Sequence, residues 1–430
     1  MTLKQQIEGT RMMNQLKLTV LVSSTLFLVA CGGSDDDSSF ISDDGIPKNN
    51  IAAPVVKTQV YIDANANANA VLDTVSANKT LMTYKMLGVN GTETQATALL
   101  FTPKGTKPTG GWPIVAWAHG TTGVADACAP SQQGLKGNEY FIAKLLAAGY
   151  AVVAPDYEGL GEPSGKELHP FLNLKSEAYS ITDAVVAASK NLGNTTEKRW
   201  SVVGHSQGGQ AALGAAQYAS RAQLNYKGAV AVAPASNLAL ILSGGEQIAA
   251  AETDPIKKIN ILAPLDTFTS LITAGLRNST PTLQYSEVFV PPTDQLAAQA
   301  ESVCYDVLGQ TLGGAMGAYV QKNGKLDGYP RTQTNFMTNI KVVKQFLEQD
   351  SQPLLKKLST PIFIYQGSND TTVPKAATDV LIQLATSKGT KINYVTDTDN
   401  AITPKWDHAT VYTANWDEII LDVKSLMPIQ

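Results

Sequence analysis

The sequence has little of what metal-binding and nucleic-acid-binding proteins need. Its 430 residues include three cysteines and four histidines, and their spacing fits no zinc site. The formal net charge is −4, and lysine and arginine form neither a run nor a stripe, which argues against a nucleic-acid partner. A polar run that begins at Asp63 has Ala68 and Thr74 where a calcium loop needs glycine and glutamate, so we interpret it as a polar turn. We expect no metal and no organic cofactor.

The N-terminal segment carries the features of an export signal. Arg11 and Lys17 precede an apolar run at residues 18–30, which is too short to span a bilayer. The run ends in Ala30-Cys31-Gly32 and resembles a bacterial lipoprotein signal, in which a peptidase cuts before the cysteine and lipid is attached to its sulfur. We therefore predict a signal peptide at residues 1–30 and lipidation of Cys31. The alternative is an ordinary secretory signal.

The residues around this signal refine the expected location. Residues 31–55 are predicted to form a flexible acidic tether, because they begin with a stretch of glycine, serine and aspartate without core residues. Gly32 rather than aspartate follows the cysteine, which in such signals favours the outer membrane or the cell surface. Without lipidation the protein would be secreted. The residues before Met12 and Met13 are unlike a signal, which favours translation from one of these methionines.

From about residue 80 the sequence alternates between short apolar runs and helical patterns. Residues 81–87 and 97–101 are predicted to form a hairpin. Buried strands are predicted at residues 113–118, 150–154, 200–203, 228–233, 361–366 and 391–395. Helices are predicted at residues 139–148, 176–192, 206–219, 376–387 and 410–426. This alternation predicts one α/β domain at residues 56–430, with a mostly parallel sheet and helices on both of its faces.

The alternation is interrupted at about residues 235–360, where the sequence is mixed and mainly helical. Glycine pairs at Gly244-Gly245 and Gly313-Gly314 are expected to break helices there. Because the strand pattern resumes afterwards, we interpret this stretch as a cap or lid inserted into the one α/β domain.

A reactive serine is indicated by the pattern G-x-S-x-G around Ser206. The pattern runs from Gly204 to Gly208, between a predicted strand and an alanine-rich predicted helix. A serine hydroxyl must be lifted clear of the sheet on a tight turn, and small flanking residues let the strand and helix approach closely. The strand–turn–helix context is what separates this site from a chance match. We therefore predict Ser206 as a nucleophile.

A serine nucleophile needs a base and an acid, which follow it along the chain in this kind of fold. His408 is the histidine that follows Ser206, and it precedes the last predicted helix. Asp370 follows the next predicted strand, where its carboxylate would accept the imidazole N–H. Asp407 is the rival acid, but side chains of neighbouring residues seldom point at each other. We predict the catalytic set Ser206, Asp370 and His408.

Two backbone N–H groups are expected to stabilise the oxyanion of the reaction. The residue after the nucleophile, Gln207, begins a helix, whose N-terminus favours negative charge. The second donor is expected from the loop after residues 113–118, where the pattern His-Gly-x places Thr121. Gly120 is the neighbouring alternative.

Four motifs together resemble the α/β-hydrolases of the secretory lipase group. They are His119-Gly-Thr-Thr-Gly, Asp156-Tyr-Glu-Gly-Leu-Gly, Gly-His-Ser206-Gln-Gly-Gly and Gly-Ser-Asn-Asp370-Thr-Thr-Val-Pro. The resemblance covers roughly residues 80–425 and implies an α/β-hydrolase fold with a helical lid. His205 stands where tyrosine is frequent in this group. The resemblance implies a lipase or esterase, and we expect it to act on a lipid-like or small acyl ester. The lipoprotein-like signal, separately, predicts attachment to the membrane by an N-terminal lipid.

Other functions remain open from the sequence alone. The same three residues could serve a serine peptidase, although no repeat or second module typical of an oligopeptidase is visible. A non-catalytic surface lipoprotein is the alternative from another class. Asp156 and Glu158 resemble catalytic acids, but we interpret them as residues that brace a loop, since an acid is already assigned.

Two cysteines remain beyond Cys31. Outside the cytoplasm two cysteines in one domain pair more often than they stay free, so we predict a disulfide between Cys128 and Cys304. Cys128 closely follows the predicted oxyanion loop and Cys304 lies deep in the insertion. The bond would tie the cap to the catalytic core; the alternative is two buried thiols.

Overall fold

The computed structural model describes residues 44–398 and 402–429. The predicted signal peptide at residues 1–30 and the lipidation site Cys31 lie outside the described residues, as does most of the predicted tether. The end of that tether is not free. Asn49 donates a hydrogen bond to Asp183 at 2.9 Å, and Arg221 donates one to the Pro47 carbonyl at 2.7 Å. Ile46 is buried. The predicted boundary at residue 56 is therefore too late, because these contacts join residues 46–49 to the domain.

A nine-stranded sheet forms the centre of the described chain, with the strand order β1-β2-β3-β5-β4-β6-β7-β8-β9. The strands are β1 Val55–Val60, β2 Ser76–Leu87, β3 Glu93–Pro103, β4 Trp112–Ala118, β5 Ala151–Pro155, β6 Thr196–His205, β7 Asn225–Val232, β8 Ile362–Gln366 and β9 Ile392–Thr396. From β5 to β9 every pairing is parallel, whereas β1, β2 and β3 pair antiparallel. The predicted mostly parallel sheet and the predicted hairpin, β2–β3, are both confirmed.

Both faces of the sheet are covered, which explains why its central strands are apolar without interruption. In β4 the side chains of Ile114 and Ala116 belong to one core, while Val115 and Trp117 belong to the core on the other face. Successive residues of a strand point to opposite faces, so a strand buried on both sides needs apolar residues at every position. All seven residues of β4 are buried.

Helices supply both covering layers. Helices α4 and α5 pack on one face, and helices α1, α3 and α15 pack on the other. The helices are α1 Ala66–Val75, α2 Pro130–Gln133, α3 Glu139–Ala147, α4 Leu174–Leu192, α5 Gln207–Gln217, α6 Leu238–Ala251, α7 Pro255–Ser279, α8 Tyr285–Val288, α9 Thr293–Ala297, α10 Tyr305–Asn323, α11 Phe336–Asn339, α12 Lys341–Gln345, α13 Lys375–Ser387, α14 Thr410–Thr413 and α15 Trp416–Leu426.

The chain between β7 and β8 is the predicted helical insertion. It contains α6 to α12 and has an apolar core of its own, which also takes in Phe171 and Leu172 from the loop before α4. Helix α7 is long and apolar enough to cross a membrane by length and composition, but 72% of its most apolar window is buried inside the protein. It is therefore the central core helix of this cap.

Two local predictions were wrong for physical reasons. The polar run after Asp63 forms helix α1, because Asn65 caps its first turn by accepting from the Asn67 N–H at 2.9 Å. The glycine pairs expected to break helices lie inside α6 and α10 instead. A Cβ atom on Gly245 would lie 2.6 Å from the Leu265 side chain, so this glycine lets α6 and α7 pack closely.

Candidate active site

Ser206 occupies the turn between β6 and α5 and has a strained backbone, with φ 61° and ψ −119°. Its flanking glycines make this turn possible. A Cβ atom on Gly204 would lie 2.0 Å from the Gly208 carbonyl oxygen, and a Cβ atom on Gly208 would lie 2.0 Å from that of Ala118. No other residue fits at either position. The serine is therefore held above the carboxyl edge of the sheet, as the G-x-S-x-G pattern predicts.

The structure brings Ser206, His408 and Asp370 into one hydrogen-bonded chain. His408 Nε2 lies 2.8 Å from Ser206 Oγ, and His408 Nδ1 lies 2.7 Å from Asp370 Oδ2. The other carboxylate oxygen of Asp370 accepts the N–H groups of Thr372 and Val373 at 2.9 and 2.8 Å. The acid is therefore fixed by its own turn, and His408 is held between it and the serine.

The two neighbours that could compete for these roles point elsewhere. Asp407 is exposed, and its Oδ1 accepts the N–H groups of Ala409 and Thr410 at the start of α14. His205 Nε2 lies 2.7 Å from the His408 carbonyl oxygen. Its ring stacks on that of Tyr412, with 5.0 Å between centroids. Burial lowers the pKa of His205 to about 3, with a smaller contribution from the nearby imidazole of His408. His205 is therefore an uncharged residue that supports His408 from beneath.

The predicted oxyanion loop faces the same point from the other side. Thr121 lines both cavities that open onto Ser206, whereas Gly120 lines one of them. Gln207 is the first residue of α5, where backbone N–H groups have no partner within the helix. The carbonyl of the next loop residue, Thr122, accepts the N–H of Tyr305 at 2.9 Å. The oxyanion loop is thus tied to the start of cap helix α10.

The predicted disulfide is confirmed at the same junction. Cys128 and Cys304 are bonded, with 5.4 Å between their Cα atoms and 176 positions between them in sequence. Cys304 directly precedes α10. A Cβ atom on Gly123 would lie 2.7 Å from Cys128 Sγ, so the oxyanion loop packs directly against the bridge.

Two cavities of different character meet at Ser206. One is an open cleft of about 350 Å³ with a mixed lining, which includes Lys136, Asn138 and Asp306. The other lies under the cap, is about 40 Å³, and is lined almost wholly by apolar side chains. Its wall comprises Phe171, Leu172, Ala235, Leu238, Ile241, Leu242, Leu265, Phe268, Ile272 and Val373, together with Thr121, Ser206, Gln207 and Thr372. The serine therefore lies between an apolar cavity and one of mixed polarity.

Comparison with known proteins identifies the family. Residues 132–415 match the model of the secretory lipase family, which is more than half of the chain. The chain belongs to the secretory lipase family. This membership supports an ester hydrolase and a secreted location. A search of curated proteins found no match.

Similar solved structures establish the fold of this chain. The rice cell wall degrading esterase LipA from Xanthomonas oryzae is 19% identical with a TM-score of 0.64, covering 87% of this chain and 97% of LipA. Candida antarctica lipase A in its closed state is 17% identical with a TM-score of 0.62, covering 91% and 85%. A hydrolase from Legionella pneumophila is 18% identical with a TM-score of 0.61, covering 87% and 98%. The fold is that of the α/β-hydrolases, as the sequence predicted.

Asp156 and Glu158 lie in a loop that their side chains brace, as the sequence predicted. Asp156 accepts hydrogen bonds from the Thr97 hydroxyl and the Ser131 N–H at 2.6 and 2.9 Å. Glu158 accepts the Val89 N–H at 2.8 Å and the Ser176 hydroxyl. Burial raises the pKa of Asp156 to about 6 and that of Glu158 to about 7. These hydrogen bonds join the loop after β5 to the segments that surround it.

The raised pKa of Glu158 predicts a pH-dependent stability. The folded protein holds this proton more tightly than the unfolded chain, so its contribution to stability is fully present below pH 4.5 and is lost as pH rises to about 7. Glu158→Gln removes this titration and keeps an acceptor for Val89. We expect the unfolding free energy of the variant, relative to wild type, to rise between pH 4.5 and 8 by on the order of 3 kcal/mol.

Urea unfolding of wild type and Glu158→Gln at several pH values measures this difference, with the exposed Glu162→Gln as the control. A difference that stays constant with pH would show that Glu158 does not titrate in this range.

Three buried residues near the site were missed by sequence reasoning. Gln366, at the end of β8, donates from its amide to Asp370 Oδ2 at 3.2 Å. Glu177 and His169 contact the side chain of Gln207 below the nucleophile turn. Glu177 lies in the first turn of α4, where acidic residues commonly complement the helix dipole at the surface, so its sequence position gave no signal of burial.

Proposed function

We propose that this secretory lipase is a serine-dependent carboxylic-ester hydrolase. The observation that carries the proposal is the continuous chain of hydrogen bonds from Asp370 through His408 to Ser206, at the meeting point of two cavities. Asp370 accepts the N–H at Nδ1, which leaves the lone pair of Nε2 facing the serine hydroxyl. That tautomer is the one that can take a proton from Ser206.

The reaction proceeds in two halves through a covalent acyl-enzyme. Ser206 Oγ attacks the ester carbonyl carbon while its proton passes to His408 Nε2, and the carbonyl oxygen becomes an oxyanion. His408 then returns the proton to the leaving alcohol, and the acyl group remains on the serine. In the second half the oxygen of water attacks the acyl carbon while its proton passes to His408 Nε2; the bond between that carbon and Ser206 Oγ then breaks, Oγ takes the proton back, and the acid is released. Asp370 stabilises the imidazolium that forms in each half.

The oxyanion requires donors that are already in place. The backbone N–H of Gln207 at the N-terminus of α5 and that of Thr121 supply them in this proposal, with Gly120 as the alternative to Thr121. Donors fixed before the reaction need no rearrangement as charge develops, which is the source of their effect on rate.

The two cavities assign the two parts of the ester. The acyl chain enters the apolar cavity under the cap, because its wall offers almost no polar group to an alcohol. The alcohol leaves, and water enters, through the open mixed cleft beside His408. The apolar cavity of about 40 Å³ holds about three water-sized groups, so the geometry favours short acyl chains.

The test is a rapid-mixing measurement with nitrophenyl esters of increasing acyl length. We expect a burst of nitrophenol equal to the enzyme concentration with the acetate and butyrate esters, and a fall in kcat/KM beyond about four carbons. Release of nitroaniline from a peptide nitroanilide, measured under the same conditions, tests the alternative that the protein is a serine peptidase. Absence of any release from the short esters would refute the proposal and favour a non-catalytic binding lipoprotein.

The lipid anchor is a separate part of the proposal. We expect wild-type protein to incorporate labelled fatty acid and to sediment with membranes, whereas Cys31→Ser incorporates none and is either uncleaved or soluble. Mass spectrometry of the mature N-terminus decides the point. Wild-type protein processed at another residue and free of lipid would contradict lipidation at Cys31.

A further inference from the structure

A second buried polar cluster lies directly beneath the nucleophile turn. The side-chain nitrogen of Gln207 is 2.8 Å from His169 Nε2 and 2.8 Å from Glu177 Oε1. His169 Nδ1 is 2.8 Å from the Glu158 carbonyl oxygen, and Glu177 Oε1 also accepts the Leu172 N–H at 3.0 Å. Gln207, His169 and Glu177 are all essentially inaccessible to solvent.

The hydrogen bonds of this cluster fix the direction of the Gln207 amide. His169 Nδ1 faces a carbonyl oxygen and must donate to it, so Nε2 carries the lone pair in the neutral ring. The two N–H bonds of the Gln207 amide then point at His169 Nε2 and Glu177 Oε1, and both are used. The reversed amide would place its oxygen against an imidazole lone pair and a carboxylate oxygen, which is repulsive.

This arrangement is costly as packing alone. Among the described residues, Glu177 Oε2 and Gln207 Oε1 are buried without a hydrogen-bond partner. Burial raises the pKa of Glu177, which is the sign of a carboxyl group taken out of water. An apolar side chain of similar size at position 177 would avoid the burial of a carboxyl group and of its unpaired Oε2, although the N–H groups of Leu172 and Gln207 would then lose this acceptor. Because this buried cluster costs stability, we expect it to have another role, which is to hold the Gln207 amide in a fixed orientation.

We propose that Glu177 and His169 are positioning residues that aim the backbone N–H of Gln207 into the oxyanion hole. This inference rests on the proposed function, since it needs Gln207 to act as the oxyanion donor. The peptide between Ser206 and Gln207 follows a residue with positive φ, and such a conformation persists only when its surroundings over-determine it. The hydrogen bonds of the Gln207 amide to His169 and Glu177 supply that constraint. They hold the side chain of the residue whose backbone N–H must face the substrate.

The experiment compares Glu177→Met with Glu177→Gln on a short nitrophenyl ester. Methionine keeps the volume but removes the acceptor, so we expect kcat to fall about 10- to 100-fold with KM within about twofold, because an oxyanion donor acts in the transition state. Glutamine keeps an acceptor oxygen for the Gln207 amide, so its kcat should return to within about threefold of wild type. A phenylboronic acid forms an adduct on Ser206 that fills the oxyanion hole. Its inhibition constant should therefore rise in Glu177→Met by about the factor by which kcat falls.

The matched control is Glu139→Met, another buried glutamate in the first turn of a helix that accepts a backbone N–H, from Gly137. We expect it to lose stability without losing kcat. If Glu177→Met does not fold, Gln207→Met breaks the same hydrogen bonds from the other end and should lower kcat equally.

An unchanged kcat and boronate affinity in a folded Glu177→Met or Gln207→Met would overturn the inference while leaving the proposed function intact. Equal losses of kcat in Glu177→Gln and Glu177→Met would also overturn the inference. A wild-type enzyme that releases no nitrophenol from the short esters would instead remove the proposed function itself.

Discussion

Ser206→Ala is expected to abolish ester hydrolysis while leaving the fold intact. The substitution removes the one atom that attacks the ester, and the hydrogen bonds between the Ser206 backbone and Val232, Ala235 and Gln210 do not involve the side chain. We expect kcat to fall by about 10⁴- to 10⁶-fold. His408→Ala should lower kcat nearly as much, because the members of a catalytic triad act as a unit. Steady-state hydrolysis of a short ester measures both losses. Circular dichroism and thermal unfolding verify that the variants are folded.

The double variant separates a shared mechanism from two independent losses. If Ser206 and His408 act together, combining their substitutions adds almost nothing to either one alone. Additive losses, or near wild-type turnover in folded His408→Ala, would contradict a histidine base paired with this serine.

The aspartate that pairs with His408 can be tested by comparing two variants, because the sequence offers two candidates, Asp370 and Asp407. Asp370→Asn should lower kcat by about 10⁴-fold, since the asparagine amide can leave the wrong imidazole nitrogen protonated. Asp407→Asn is the matched control, because Asp407 lies next to His408 in sequence but its carboxylate accepts hydrogen bonds from Ala409 and Thr410 at the start of α14. Equal losses from both variants would contradict the assignment of the acid.

Much of this architecture is predictable because it follows from local rules. Strand β4 is apolar at every position since both of its faces are covered, and that pattern is visible without a structure. The turn at Ser206 is equally visible, because Gly204 and Gly208 are required wherever a strand and a helix approach so closely. The order of Ser206, Asp370 and His408 along the chain then follows from the order of the strands.

The remainder depends on contacts between segments distant in sequence. Glu177 and Gln207 are 30 positions apart, and no periodicity marks either as a member of a buried polar cluster. Gly245 was expected to break a helix, yet its contact with Leu265 makes it a packing residue inside one. In each case tertiary contact overrides the ordinary meaning of the residue type. The start of the domain was misplaced for the same reason, since Asn49 gains its partner, Asp183, from a distant helix.

Removing the disulfide is expected to produce the largest loss of stability. The bond between Cys128 and Cys304 closes a loop of 176 residues, for which chain entropy gives about 5 kcal/mol at most. Residual structure in the unfolded chain lowers that figure, so we expect Cys128→Ala/Cys304→Ala to lose on the order of 3–5 kcal/mol of unfolding free energy. Urea unfolding measures it. Wild type with a reductant is the matched control and should approach the variant, and two reactive thiols besides Cys31 in denatured, unreduced protein would contradict the bond.

The position of the disulfide predicts which part of the protein loses its structure first when the bond is removed. Cys304 precedes α10, and the N–H of Tyr305 donates to Thr122 in the oxyanion loop, so bridge and hydrogen bond hold the same two segments together. Without the bridge the two segments keep that hydrogen bond, at a net value of about 1 kcal/mol, and the packing of Val124 in the core of the cap. We therefore expect the variant to lose ester hydrolysis on heating at a lower temperature than it loses helical circular dichroism. Coincident loss of both signals would show that the bridge stabilises the whole domain evenly rather than the junction of cap and oxyanion loop.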